Sequence, residues 1–414
     1  MQIRRAIGTL TQSFSPLRQS NFRIYLGGQA LSLVGTWMQS TAAALVVYTL
    51  SGNSPQALGI AGMLASLPVL LLSPWTGALS DRFDRRKLLI ATQAVAMILA
   101  FALALLTQSG AAQLWHVLAF TFILGISNAV DLPTQQAFLG DLAGMSEVRK
   151  AINLNAMILN ISRFLGPAIG GFVVAQLGAP TAFWINGLSF VAVLVSLVMV
   201  RASQVRAVGG AGRGGIGEAI AFVRGQPRLQ DVMAFVVIMT FLGFAVLTVA
   251  ADVMKGDAQQ TGALLSASGL GALISVIFIV PLAQAARRTG LVMASAAIWL
   301  GAWTVVFSFM PTLPTMLVAM FLTSLGAPIV MTMAFGLSQL MAPPNMRARI
   351  ISLITTVSFG MQPFAALLVG FVAQNLGAVI AIRINGGLIV ILIGALLLLR
   401  PALRTWQAVP AATP

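Results

Sequence analysis

Twelve apolar runs, each at least 20 residues long, constrain this chain more than any other feature of its sequence. A run of that length crosses a hydrocarbon core about 30 Å thick as one helix. The runs lie near residues 22–49, 56–79, 88–108, 114–134, 151–176 and 180–200, then 231–252, 259–284, 291–310, 313–336, 350–374 and 378–399. Only 8% of the residues are charged and 58% are hydrophobic, against about 25% charged in an ordinary water-soluble domain. The expected fold is therefore an all-α membrane protein with twelve transmembrane helices. The first run is too long for the apolar region of a secretory signal, so it is expected to stay as a membrane helix. Before it, Ile3, Ile7, Leu10, Phe14 and Leu17 recur at spacings of four and three. That pattern suits a surface helix on the membrane, and Pro16 leaves an unstructured leader as the alternative.

Charge placement gives an orientation. Cytoplasmic loops keep Lys and Arg, and with the amino terminus inside, the outer connections 50–55, 109–113, 177–179, 311–312 and 375–377 carry no charge. Lys255 is in an outer loop, and Arg163 and Arg383 are inside runs; setting these three aside leaves 21 of the 24 basic residues at the cytoplasmic face. Both termini are expected in the cytoplasm. The net charge of +15 belongs to this asymmetry and not to a nucleic-acid surface, because no basic soluble domain exists to hold one. With no cysteine and one histidine, His116 beside Trp115 at an outer end, the chain offers no thiolate chemistry or metal cluster and calls for no cofactor. An interfacial anchor suits His116 better than a proton relay. A membrane enzyme would need a nucleophile or acid/base pair that this sequence does not supply, and no phosphate-binding G-x-x-x-x-G-K-S/T loop is present for ATP.

The chain also repeats itself. Gly178-Ala-Pro-Thr-Ala-Phe-Trp-Ile-Asn-Gly187 matches Gly377-Ala-Val-Ile-Ala-Ile-Arg-Ile-Asn-Gly386 at six of ten positions. Internal duplication of this kind is common in transporters. The expected layout is a cytoplasmic segment over 1–21, a six-helix bundle over 22–200, a linker over 201–230, a second pseudo-symmetric six-helix bundle over 231–400 and a tail over 401–414. In the linker, Ile216, Ala219, Ile220 and Val223 share a face, which predicts a short surface helix.

Several polar residues stand where lipid would exclude them. After the second run comes Gly77-Ala-Leu-Ser-Asp81-Arg82-Phe-Asp84-Arg85-Arg86-Lys87. Gly77 permits close helix approach, and Asp81 suits a helix amino terminus. Asp131 lies at the end of the fourth run, where a carboxylate needs a partner. No acidic residue is expected near the middle of the membrane. Arg163, near the middle of its run, must face a cavity, a carboxylate or helix-end carbonyls, so it is a candidate for an anionic substrate group or for internal pairing. Arg383 is close enough to the outer surface to reach it. Gln29, Ser32, Thr36 and Gln39 share one face of the first helix, which either lines a cavity or bonds to other helices.

The loop after the second run resembles the G-x-x-x-D-R-x-G-R-R motif of the major facilitator superfamily. In that family the loop latches the two halves in the outward-open state, which implies gating roles for Gly77, Asp81, Arg82, Arg85, Arg86 and Asp131; Asp84 stands where the family has glycine and implies a looser turn. The resemblance also implies Arg85 as the partner of Asp131 in that latch, with proton carriage the second role. In the fifth run Gly166-Pro167-Ala-Ile-Gly170-Gly171 resembles part of the antiporter motif, with Asn153 and Ser162 at its first two glycine positions. The family's first, fourth, seventh and tenth helices line the cavity, which implies Gln29, Thr36, Gln39, Asn128 and Thr240 as substrate contacts. Together with Phe22-Arg23, Asp131-Leu-Pro133-Thr134 and Asn345-Met-Arg347-Ala-Arg349, these segments are similar to the bacterial exporter branch that includes siderophore exporters of the enterobactin type and macrolide-type drug efflux proteins. The resemblance implies a secondary exporter in the bacterial inner membrane, working by alternating access and proton antiport as a monomer on a drug or secreted metabolite. A proton-coupled importer or uniporter of a small nutrient is the alternative, and a non-transporting receptor or scaffold the alternative of another class.

Overall fold

The apolar runs fold as helices, in which each backbone donor and acceptor finds its partner within the segment. The computed structural model describes residues 15–144, 147–200, 216–243, 245–343 and 346–406. Nearly all of the expected amino-terminal surface helix and residues 201–215 of the linker fall outside that description, as does Asn345. The same holds for the side chains of Gly77, Asp81, Ile216, Ala219, Arg347 and Arg349.

A short 3-10 turn, Ser15–Arg18, leads into α1 (Ser20–Leu50), α2 (Pro55–Arg82), α3 (Arg85–Gln108), α4 (Leu114–Ala143), α5 (Val148–Leu177) and α6 (Ala179–Met199). The linker helix expected from its apolar face is α7 (Ile216–Arg224). Then follow α8 (Pro227–Leu242), α9 (Ala245–Thr248), α10 (Ala250–Val253), α11 (Ala258–Ile274), α12 (Val280–Gln284), α13 (Thr289–Phe307), α14 (Leu313–Ser324), α15 (Gly326–Met341), α16 (Arg347–Gly360), α17 (Gln362–Leu376), α18 (Ala378–Leu399) and α19 (Ala402–Thr405). No strand occurs among the described residues. Among the described residues, twelve helical stretches are long and apolar enough to cross a membrane. Several expected single helices are interrupted: α11 and α12 are joined through a π-turn at Ser275–Ile279, and Pro363 opens α17, where its missing N–H has no bond to lose.

The fourth helix differs most from expectation. It does not end near residue 134 but continues through Pro133 to Ala143. Asp131 is therefore inside a 30-residue helix and not at its exit.

The described residues group into two compact units, one within Met1–Val46 and Pro68–Gly210, the other within Val47–Leu67 and Ala211–Pro414. The end of α1 and the first part of α2 thus belong with the carboxyl-terminal helices, a grouping that the apolar runs do not announce. In the first unit Phe22, Tyr25, Leu89, Phe138, Val193 and Leu197 join α1, α3, α4 and α6. In the second, Phe235, Met293, Val330, Met333, Ile389 and Ile393 form the main core. Also in the second unit, Gly59 of α2 lies against Gly370 of α17 so closely that a Cβ on Gly59 would be 2.9 Å from the Gly370 Cα. Beside that seam the Tyr48 hydroxyl donates to Asp252 at 2.9 Å.

Helices in lipid gain little from hiding apolar surface from one another, so their association relies on close packing of small residues. The duplicated segment shows this in both units. Gly178 and Gly377 have φ of +84° and +88°, and each ends one helix and starts the next; this left-handed turn favours glycine. Downstream, Gly187 sets α6 against the Phe101 ring of α3, and Gly386 sets α18 against the Gly301 carbonyl of α13, which a Cβ would approach to 2.7 Å. Equivalent helices meet equivalent partners. Leu31, Phe172, Leu188, Ile391 and Leu398 remain more than half exposed, as apolar side chains facing lipid are.

Candidate functional site

The turn between α2 and α3 organises the first unit's charges. Asp84 is the amino-terminal cap of α3 and accepts from the Lys87 backbone N–H at 3.2 Å. Its φ of −59° needs no glycine, so the departure from the family motif caps a helix and does not loosen the turn. Arg85 does not reach Asp131. Its Nη1 donates to both carboxylate oxygens of Asp141, at 2.8 and 2.9 Å, and both side chains are buried. The expected Arg85–Asp131 pair is thereby replaced, because α4 carries a second acid beyond Pro133 that faces α3. Arg86 donates to the carbonyls of Leu197 and Val198, each at 2.6 Å, where the last carbonyls of α6 favour a cation. Arg82 is exposed, and the side chains of Gly77 and Asp81 are outside the described residues. Further along, Ser15 donates to Glu147, as does Lys150 at 3.1 Å; these partners hold the Glu147 carboxyl below its ordinary range.

Asp131 has a different environment. Its Oδ1 accepts from Gln93 Nε2 at 2.9 Å and lies 2.6 Å from Thr92 Oγ1, while its Oδ2 has no partner among the described residues. No cation touches it among the described residues. The Thr92 hydroxyl also lies 3.0 Å from the Leu89 carbonyl. A threonine has one hydroxyl proton and can both donate and accept. When Asp131 is ionised, Thr92 can donate to Oδ1; when it is protonated on Oδ1, it can donate to Thr92, whose own proton turns to Leu89. Both protonation states satisfy the same heavy-atom arrangement. Ser127 donates to the Thr92 carbonyl at 3.0 Å, and Gln135 donates to the Tyr25 hydroxyl at 3.3 Å, so polar side chains continue along this face of α4.

Arg163 lies 15 residues after Val148 and 14 before Leu177, at the centre of α5. Its guanidinium carbon is 5.0 Å from the centre of the Trp37 ring, and it makes no hydrogen bond or ion pair among the described residues. The antiporter-like motif positions it. A Cβ on Gly166 would be 3.0 Å from the Val34 carbonyl, and one on Gly170 would be 2.8 Å from the Met38 carbonyl, so α5 lies directly on the α1 backbone. Pro167 and Gly171 are buried in the same helix.

The polar stripe of α1 is largely used in packing. Gln39 accepts from Asn186 Nδ2 at 2.7 Å, and Thr36 donates to its own helix at Ser32. Gln29 is buried with its Oε1 unpartnered, as is the Thr240 hydroxyl in the second unit. Asn128 is exposed. Arg383 is exposed too, 4.0 Å from the centre of the Phe309 ring and donating to Ser308 at 3.2 Å. His116 accepts from the Gln113 backbone N–H at 3.0 Å and stacks on Trp115. Sequence reading missed Asp141, Thr92 and Gln93; the polar pair Thr92-Gln93 inside the third apolar run was the signal available for the latter two.

The transmembrane secretion effector family, a family of major facilitator transporters, matches residues 11–413. The chain belongs to this family. It is a multi-pass membrane protein of a small-molecule transporter family. The Staphyloferrin A transporter of Staphylococcus aureus is 32% identical over 177 residues, 42% of this chain and 44% of that protein. The chain therefore spans less than half the length of that relative. The multidrug efflux pump Tap of Mycobacterium tuberculosis is 23% identical over 402 residues, 92% of this chain and 94% of that pump. Among solved structures, the nucleoside transporter NupG matches with a TM-score of 0.72 at 12% identity, covering 94% of this transporter and 100% of that chain. A bacterial homologue of ferroportin matches at 0.67 and 14% identity, covering 91% of this transporter and 98% of that chain. These likenesses show the major facilitator fold.

Proposed function

We propose that this transporter exports a small molecule, a drug or a secreted metabolite such as a siderophore, in exchange for protons. The observation that carries proton coupling is Asp131, a carboxyl inside a membrane helix whose partners are all neutral and accommodate either protonation state. A carboxyl that no cation balances can gain and lose a proton without breaking a buried ion pair. Export draws support from Tap, named a multidrug efflux pump and similar over 92% of this chain. The two bundles, 22–200 and 231–400, would alternate a central site between the two sides of the membrane, with the α2–α3 loop, Arg85 and Arg86 included, as a latch in that cycle. Gln29, Thr36, Asn128 and Thr240 are the polar positions proposed to meet substrate, Gln39 being committed to Asn186. Transport by this route needs no cofactor and no enzymatic step. The basic loops support a location in the bacterial inner membrane with both termini in the cytoplasm, and a monomer suffices.

Inside-out vesicles bearing this protein test the reading. A panel of labelled drugs, siderophores and nutrients is offered with and without an acidic lumen. Accumulation that depends on the acidic lumen is expected for at least one exported class. Release from preloaded vesicles with no inward pumping would instead mean an importer or uniporter.

A further inference from the structure

We propose that Arg163 and Trp37 form a subsite for the carboxylate of an organic anion, an inference that rests on the transport reading and gives its substrate class. An arginine at the centre of a membrane helix costs about 2.5–3.5 kcal/mol even by the mildest scales, so such residues face a partner or a wet cavity. Here no protein acceptor answers it among the described residues. The Trp37 ring supplies a cation–π contact, which holds the flat guanidinium but uses none of its N–H donors in the plane. Those nitrogens are not among the sealed polar atoms that lack a partner, and the side chain is partly exposed. The side chain is therefore not wholly enclosed by its own unit.

The placement is also fixed. Gly166 and Gly170 bring α5 onto the backbone of α1 at Val34 and Met38, on either side of Trp37 in sequence. Arg163 precedes Gly166 by one helical turn, so the glycine contacts hold arginine and tryptophan together before any ligand arrives. A planar guanidinium fork with its edge free matches a carboxylate, which it can bind through two parallel charge-assisted hydrogen bonds. On α1, the Gln39 carbonyl oxygen already accepts from Asn186. By contrast Arg85, Arg86 and Arg383 are each paired to an acid, to helix-end carbonyls or to a hydroxyl. Arg163 alone among these has its charge unanswered.

The experiment is equilibrium binding to the full-length purified protein in detergent, without any gradient, using an aromatic carboxylate and its methyl ester as the probe pair. Wild type is expected to favour the carboxylate by about tenfold or more, the value of a charged hydrogen bond. Arg163→Gln should erase that preference, and Arg163→Lys should restore part of it. Because no gradient is applied, the preference reads binding alone, which separates this subsite from proton coupling and from the direction of transport. Equal binding of acid and ester by wild type, a result that needs no variant, would overturn the proposal; so would an undiminished preference in Arg163→Gln.

Discussion

Asp131 and Asp141 are carried by the same helix, are both buried, and are neutralised in opposite ways. Near the carboxyl-terminal end of α4, Asp141 faces a guanidinium that donates to both of its oxygens. In the interior of the helix, Asp131 faces a threonine hydroxyl and an amide. A carboxylate removed from water must be balanced by a cation or by a proton. The first choice fixes the local structure, because separating the pair breaks two charge-assisted hydrogen bonds between largely buried groups. The second leaves the group free to exchange. One helix thus carries an ion-paired carboxyl at its end and a carboxyl with neutral partners in its middle, and the arginines divide in the same way: Arg85 is paired, and Arg163 has no ion pair among the described residues.

The comparison breaks most visibly at the paired end. Arg85→Gln or Asp141→Asn should each cost up to about 3 kcal/mol, since either breaks a largely buried ion pair. The combined replacement Arg85→Met with Asp141→Leu should recover most of that loss, and unfolding in detergent checks both. Thr92→Val sharpens the other side, with a loss of about 1 kcal/mol for the missing hydroxyl and a larger loss of transport rate, because the group that serves both states of Asp131 is gone. Stability and flux measured on the same preparation separate the two. Arg163→Gln should change stability by less than about 1 kcal/mol, as there is no protein ion pair to break; a loss equal to that of Arg85→Gln would mean that Arg163 is structurally paired after all.

The smallest effect concerns an exposed acid. The Glu147 carboxyl is held below its ordinary value by Ser15 and then Lys150. A depressed carboxyl contributes stability that is present above its unfolded value, about 4.3, and is lost as pH falls through the folded value. Hydrogen exchange at Gln19 and Arg23 should therefore rise in acid below that range, and Glu147→Gln should already show the raised exchange at neutral pH.

Much of the fold was legible in the sequence because a bilayer writes its thickness as runs of apolar residues. The duplication was legible too, since Gly178 and Gly377 are turns that only glycine takes easily. The partner of Arg85 was not. The fourth run looks finished at Thr134-Gln135-Gln136, yet Thr134 bonds back to Val130 and Gln135 to Tyr25 inside the unit, so the helix goes on to Asp141. Polar residues that satisfy one another across helices look like a membrane exit when read along one strand of sequence. For Gln39 the sequence left both a cavity and another helix open, and its bond to Asn186 needed the folded unit.

The central claim is that Asp131 carries the coupled proton. The direct measurement is proton movement into a pH-sensitive dye inside proteoliposomes when substrate is added, with substrate counterflow followed in parallel. The account predicts that wild type shows both, and that Asp131→Asn keeps counterflow but moves no protons. Substrate-evoked proton movement that persists in Asp131→Asn would contradict it.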